Sequence, residues 1–162
     1  MRTLGIDPGL SGAVALFGDG VVDVRRDFKK LSDITDAIMA FAPFADRAAL
    51  EFVSAMPGQG VTSMFAFGKA TGVAVSALVA AKLPYIEVTP QRWQGYFWDL
   101  DKVPRKKGMR KNFDSIDVAS CYIPKAKPFL TRKKDHNSAD ALLIAFWYWL
   151  NLDAESSRHR VS

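Results

Sequence analysis

Cysteine and histidine are nearly absent from this chain: Cys121 is its one thiol, and His136 and His159 are its two imidazoles. One cysteine cannot close an intramolecular disulfide, and with two histidines it cannot complete a structural zinc site, so a reducing compartment is expected, with Cys121 as inert core. Long apolar runs are also read as missing, none approaching the ~18 residues that a membrane span needs. The first residues lack the basic, apolar and small-residue order of a leader. These absences lead to the expectation of a cytoplasmic protein without membrane contact. There is neither an internal repeat nor a low-complexity segment, which leaves a single α/β domain.

What is present is size enough for a core and an uneven charge. A chain of 162 residues buries roughly 70% of its unfolded surface. The net charge is +5, but residues 91–134 carry 12 Lys and Arg against 4 Asp and Glu, giving +8 there and −3 elsewhere. Such asymmetry points to a polyanionic partner, with nucleic acid ahead of an anionic membrane because no basic amphipathic helix is evident.

Turn formers and hydrophobic period divide the chain. Strands are expected at 2–7, 12–17 and 21–25, joined through Asp7-Pro8-Gly9 and Gly18-Asp19-Gly20 as a meander. Ser32 is the expected cap of a helix over 33–41, stopped by Pro43. A fourth strand over 47–53, a loop at 56–60 and a helix from 61 or 62 to 82 follow. That helix is apolar nearly all round and carries Gly68 and Gly72 four apart, which fits a central core helix or a dimer seam. A fifth strand at 85–88 leads to a helix capped by Thr89, with Pro90 at its first position, through 97. A charged loop at 99–107, a helix at 108–122, a basic loop at 124–134 and a final helix at 137–151 complete the domain, 1–151. Residues 152–162 read as a polar, flexible tail.

Three acids stand in or beside strongly apolar stretches: Asp7 in Gly5-Ile6-Asp7-Pro8-Gly9, Glu51 in Leu50-Glu51-Phe52-Val53, and Asp140 ahead of Ala141-Leu142-Leu143-Ile144. An ionised carboxylate in an apolar setting costs several kcal/mol unless compensated. Each has an ordinary explanation alone. Asp7 suits a turn, Glu51 a salt bridge at a strand end, and Asp140 the positive end of a helix. Together they make a divalent cation the simplest common partner. His136 or Asn137, four and three residues before Asp140, could share its helix face.

Oxygen donors with at most one imidazole suit Mg²⁺, with Mn²⁺ as substitute, rather than zinc. Two such ions about 3.5–4 Å apart can activate water and stabilise the leaving oxygen in a phosphoryl displacement. Phosphodiester hydrolysis follows, with His136 as general base or ligand. Lys102, Arg105, Lys106, Lys107, Arg110 and Lys111, with Lys125, Lys127, Arg132, Lys133 and Lys134, flank these acids in sequence. They read as phosphate contacts giving salt-sensitive DNA binding, or as a solvated loop surface.

The chain resembles the RuvC family of Holliday junction resolvases, within the RNase H-like fold. The motifs that carry this are Gly5-Ile6-Asp7-Pro8-Gly9, Leu50-Glu51, the helix over 63–81 with Phe67-Gly68-Lys69 and Gly72, and Ala139-Asp140-Ala141-Leu142. The match spans 3–150, and the loop at 56–60 resembles bacteriophage or prophage members. The resemblance implies a five-stranded mixed sheet, three antiparallel strands then two parallel, flanked by helices. It implies Asp7, Glu51 and Asp140 as metal-binding catalytic carboxylates, two Mg²⁺ per subunit, and Lys111 near the scissile phosphate. It also implies a homodimer that nicks a four-way junction symmetrically, leaving 5′-phosphates. The family commonly has Asp or His three residues before its last Asp. Here Asn137 holds that place and His136 the one before, with Asp135 a remoter candidate. Other readings are a nuclease of the same fold acting on other branched DNA or RNA–DNA hybrids, and a junction-binding protein without catalysis. Two-domain sugar kinase and actin-like ATPases share the Asp-x-Gly turn but need a longer chain.

Overall fold

The computed structural model describes residues 1–53, 60–99 and 113–151, with the side chains of 98 and 99 left out. The expected loop at 56–59, the basic stretch through 102–111 and the tail at 152–162 lie outside the described residues.

Strands β1 (Thr3–Asp7), β2 (Ala13–Gly18) and β3 (Val21–Arg26) form the expected meander. β4 (Arg47–Glu51) and β5 (Tyr85–Val88) complete a five-stranded sheet in the order β3-β2-β1-β4-β5. The β1–β2 and β2–β3 pairs are antiparallel, whereas β1–β4 and β4–β5 are parallel. This is the expected RNase H-like arrangement.

Side chains alternate across a strand, and that alternation sets the two faces. Leu4, Ile6, Ala48 and Leu50 face one layer, built by α1 (Leu31–Phe41) and α2 (Val61–Ala80). Gly5 and Ala49 face the other, where α5 (His136–Leu150) lies between α3 (Pro90–Asp99) and α4 (Ser115–Tyr122). Asp7 is two residues beyond Gly5 and Glu51 two beyond Ala49, so both acids share the α5 face. Thr3 Oγ1 donates to the Ala145 carbonyl over 2.8 Å, tying α5 to β1.

Several local expectations are corrected. The central helix is α5, with Ala139, Ala141–Ala145, Trp147 and Tyr148 buried. In α2 only Ala70, Ala74, Ala77 and Leu78 are buried. Contrary to the expectation of no such run, Val61–Ala80 is long and apolar enough to cross a membrane by length and composition, with mean hydropathy 1.4. Its buried alanines pack on the sheet and α1. The cap of α1 is Lys30 rather than Ser32, because Asp33 reaches back to accept the Lys29 and Lys30 amides at 2.8 and 3.2 Å. Where described, the helix expected at 108–122 begins only at Ser115, behind Asp114, which accepts the Ile116 and Asp117 amides. The stretch 124–134 is two short 3₁₀ turns, Pro124–Phe129 and Lys133–Asp135, separated by residues 130–132. Cys121 is exposed, not core.

Candidate metal centre

Parallel pairing brings the first two acids together. Ile6 stands opposite Leu50, so Asp7 and Glu51, each one residue further along, end neighbouring strands on the same side. The chain then turns sharply: the Gly12 amide donates to the Gly9 carbonyl over 3.1 Å. A side chain at Gly12 would run into the Asp7 carbonyl, its Cβ lying 3.0 Å from that carbon and closer to the oxygen. Glycine there lets the turn fold back over Asp7. Asp140 comes from the first turns of α5, on the same face.

Burial raises all three acids, and charge repulsion adds to it at Asp7 and Glu51. Glu51 is 9% exposed, and burial pushes its carboxyl from 4.5 to about 7. Its Trp93 hydrogen bond works against that shift, and the Asp140 charge adds to it. Asp7 is raised well above the usual carboxylate range by burial and by the charges of Glu51 and Asp140. Asp140 is raised by burial, against the Ser115 hydroxyl and the charge of His136. Trp93 Nε1 donates to Glu51 Oε1 over 2.9 Å, and the Ser115 hydroxyl donates to Asp140 Oδ1. Among the described residues, none of the three acids forms an ion pair with lysine or arginine.

Among those residues no three His, Cys, Asp or Glu side chains are drawn together closely enough to grip an ion as they stand. Like charges without an intervening cation repel, and uptake of a proton at raised pKa is the alternative relief. An oxygen-rich, proton-hungry set without a lysine or arginine partner among the described residues fits a hard divalent ion.

The surroundings separate the candidates for the fourth position. Asn137 Nδ2 donates to the Ser11 carbonyl over 2.6 Å, fastening α5 to the β1–β2 turn. His136 is exposed at the start of α5, one turn before Asp140, and its charge reaches that carboxylate. Asp135 is turned elsewhere. Its side chain is fully buried and held by Arg132 at 2.7 Å and Arg26 at 3.4 Å. Arg132 also pairs with Asp27 at 2.8 Å, and Lys134 reaches Asp27 at 3.3 Å. Arg132, expected on DNA, is thus engaged within the chain, as is Lys134 more loosely, while Lys133 is exposed. Lys102, Arg105, Lys106, Lys107, Arg110 and Lys111 lie outside the described residues.

Trp93 and Ser115 were not legible as site residues. A buried indole N–H needs an acceptor, which was the available signal for Trp93. Nothing in the sequence marked Ser115.

The pKa of Glu51 makes stability pH-dependent. Its carboxyl is raised on folding, so between 4.5 and about 7 the folded chain binds the proton more tightly than the unfolded one. Stability therefore falls as pH rises through that window, and the loss is complete above it. At about 1.4 kcal/mol per tenfold change in affinity, Glu51 alone is worth roughly 3 kcal/mol. Urea denaturation in chelator at pH 5 and pH 8 should show the loss, and Glu51→Gln should flatten it. A wild-type stability that rises over this interval would contradict the burial argument.

No family model matches the sequence, and no curated protein matches it. Solved structures do resemble it. The RuvC structure of Thermus thermophilus is 17% identical, with a TM-score of 0.59 over 96% of this chain and 97% of that one. The T. thermophilus RuvC structure in complex with Holliday junction substrate is 17% identical, with a TM-score of 0.57 over 96% of each chain. The yeast mitochondrial Holliday junction resolvase Ydc2 is 13% identical, with a TM-score of 0.59 over 98% of this chain and 81% of that one. The shared feature is the fold, extending over nearly the whole length.

Proposed function

We propose that the chain is a divalent-metal-dependent endonuclease that resolves four-way DNA junctions. The observation that carries this is the meeting of Asp7, Glu51 and Asp140 at the ends of β1 and β4 and the start of α5. They occupy one face of a fold shared with junction resolvases. Bound Mg²⁺, two ions per subunit with Mn²⁺ as substitute, would supply the Lewis-acid charge that activates water and stabilises the leaving oxygen. Asp7, Glu51 and Asp140 would hold the ions. His136, one turn before Asp140 at the start of α5, serves as the fourth donor or as the base. The family resemblance implies a place near the scissile phosphate for Lys111, which is outside the described residues. Lys102, Arg105, Lys106, Lys107, Arg110 and Lys133 supply sequence-independent phosphate contacts, with Arg132 and Lys134 contributing once released from Asp27. The products carry 5′-phosphates, and the setting is the cytoplasm of a bacterial or phage-infected cell.

Cleavage of a labelled four-way junction beside a fork, an RNA–DNA hybrid and plain duplex, with Mg²⁺, Ca²⁺ or chelator, tests substrate and metal together. Junction cutting in Mg²⁺ alone is expected. Equal cutting of plain duplex would remove the junction preference, and binding without cutting would make the chain a non-catalytic junction binder.

Two symmetric nicks need two sites, and α2 offers the seam. Val61, Phe65 and Val79 are 84%, 66% and 63% exposed, and a Cβ on Gly68 or Gly72 would meet nothing within 4 Å. An apolar helix with so open a face suits a second copy of itself. Sedimentation at micromolar protein should give the mass of two chains, and Phe65→Glu should give one. A wild-type monomer would count against paired cutting.

A further inference from the structure

We propose that Trp93 and Ser115 are positioning residues that decide which oxygens of Glu51 and Asp140 remain for the metal; the inference rests on the metal-dependent reading above. Trp93 is fully buried among Ile86, Val88, Phe97, Leu143 and Ile144. Its ring meets Phe113 edge-on at 5.4 Å. An indole so enclosed cannot turn, so its N–H holds Glu51 Oε1 in one place. Ser115 is 7% exposed at the first position of α4.

A serine at a helix start ordinarily caps the exposed amides. Here Asp114 has taken the Ile116 and Asp117 amides. The Ser115 hydroxyl is therefore available to cross to α5 and donate to Asp140 Oδ1.

Each carboxylate thus has one oxygen engaged by a neutral donor, leaving Glu51 Oε2 and Asp140 Oδ2 for a cation. Neutral donors suit this task because they orient a carboxylate without cancelling its charge, as a lysine or arginine would. α3 and α4 thereby act on the site without supplying a metal ligand themselves.

Trp93→Phe keeps most of the ring and removes the N–H; Ser115→Ala removes the hydroxyl and Ser115→Thr returns it. The rise in melting temperature of the full chain is titrated with Mg²⁺, alongside the Mg²⁺ dependence of junction cleavage and junction binding in chelator. The Mg²⁺ midpoint should move up about tenfold or more in Trp93→Phe and Ser115→Ala. Ser115→Thr should restore it, and metal-free binding should not change. If Trp93→Phe does not fold, the Ser115 pair decides. Unmoved midpoints in a chain whose wild type responds to Mg²⁺ overturn this inference alone, even if the melting temperatures fall. A wild type indifferent to Mg²⁺ overturns the nuclease reading and this inference with it.

Discussion

Asp7→Asn should abolish junction cutting, leave junction binding intact and raise the stability of the metal-free protein. The amide keeps the shape of the carboxylate at the end of β1 and removes a charge that burial and the neighbouring Glu51 and Asp140 already disfavour. Without that charge the repulsion among the three acids falls, so the melting temperature in chelator should rise at pH 8, where the acids are most ionised. In the proposed mechanism the same charge is required to hold a divalent ion. Cutting should drop by about 10³-fold or more, at roughly 1.4 kcal/mol of barrier per factor of ten. Binding measured by gel shift in chelator depends on the basic residues and should stay within experimental scatter of wild type. Gain of stability with loss of turnover is the mark of a functional residue held at a structural cost. Cutting within tenfold of wild type would remove Asp7 from the chemistry, and loss of binding as well would give it a different task.

The apolar runs of β1 and β4 made the acids legible, because Glu51 was the one polar residue in 48–53 and Asp7 closed a strand at a tight turn. Asp140 stood out for the same reason, as the single acid of an apolar helix. Pairing was another matter. That β1 lies between β2 and β4 follows from tertiary packing, and so does the face on which Asp7 and Glu51 meet α5. Composition does not show which layer a helix joins. α2, apolar nearly all round, reads as a core helix or a dimer seam, and its small residues bury only a narrow stripe. α5, bulkier and aromatic, fills the space over β1 and β2. A run of charge likewise does not show its partners: the guanidinium of Arg132, in the basic stretch, lies against Asp27 and Asp135, 105 and three residues away in sequence. Trp93 and Ser115 were hidden because hydrogen bonds over 42 and 25 residues leave no local pattern.

Gly5→Ala should be the most damaging single-methyl change in the described core. Gly5 sits mid-strand in β1 beneath α5. A Cβ there would lie 2.5 Å from the Ala145 amide nitrogen, nearer still to the Ala141 carbonyl oxygen, and 3.0 Å from the Ala145 Cβ. Two of those three atoms are backbone within a helix, so no side chain can swing aside to make room. The helix itself must lift from the sheet, stretching the bond from Thr3 to the Ala145 carbonyl and carrying Asp140 away from Asp7. Alanine is ordinarily preferred to glycine within a strand by roughly 0.5–1 kcal/mol; overpacking against rigid backbone outweighs that, at about 3 kcal/mol or more. Urea denaturation should show the loss. Any folded fraction should also need more Mg²⁺, because the carboxylates part when α5 moves. Gly72→Ala supplies the contrast. Nothing stands within 4 Å of its Cβ position, so helix propensity alone should stabilise a single subunit by about 1 kcal/mol. If Gly5→Ala unfolds no more readily than wild type, α5 is not seated on β1 at this point, and the close approach that brings Asp140 to the strand ends fails with it.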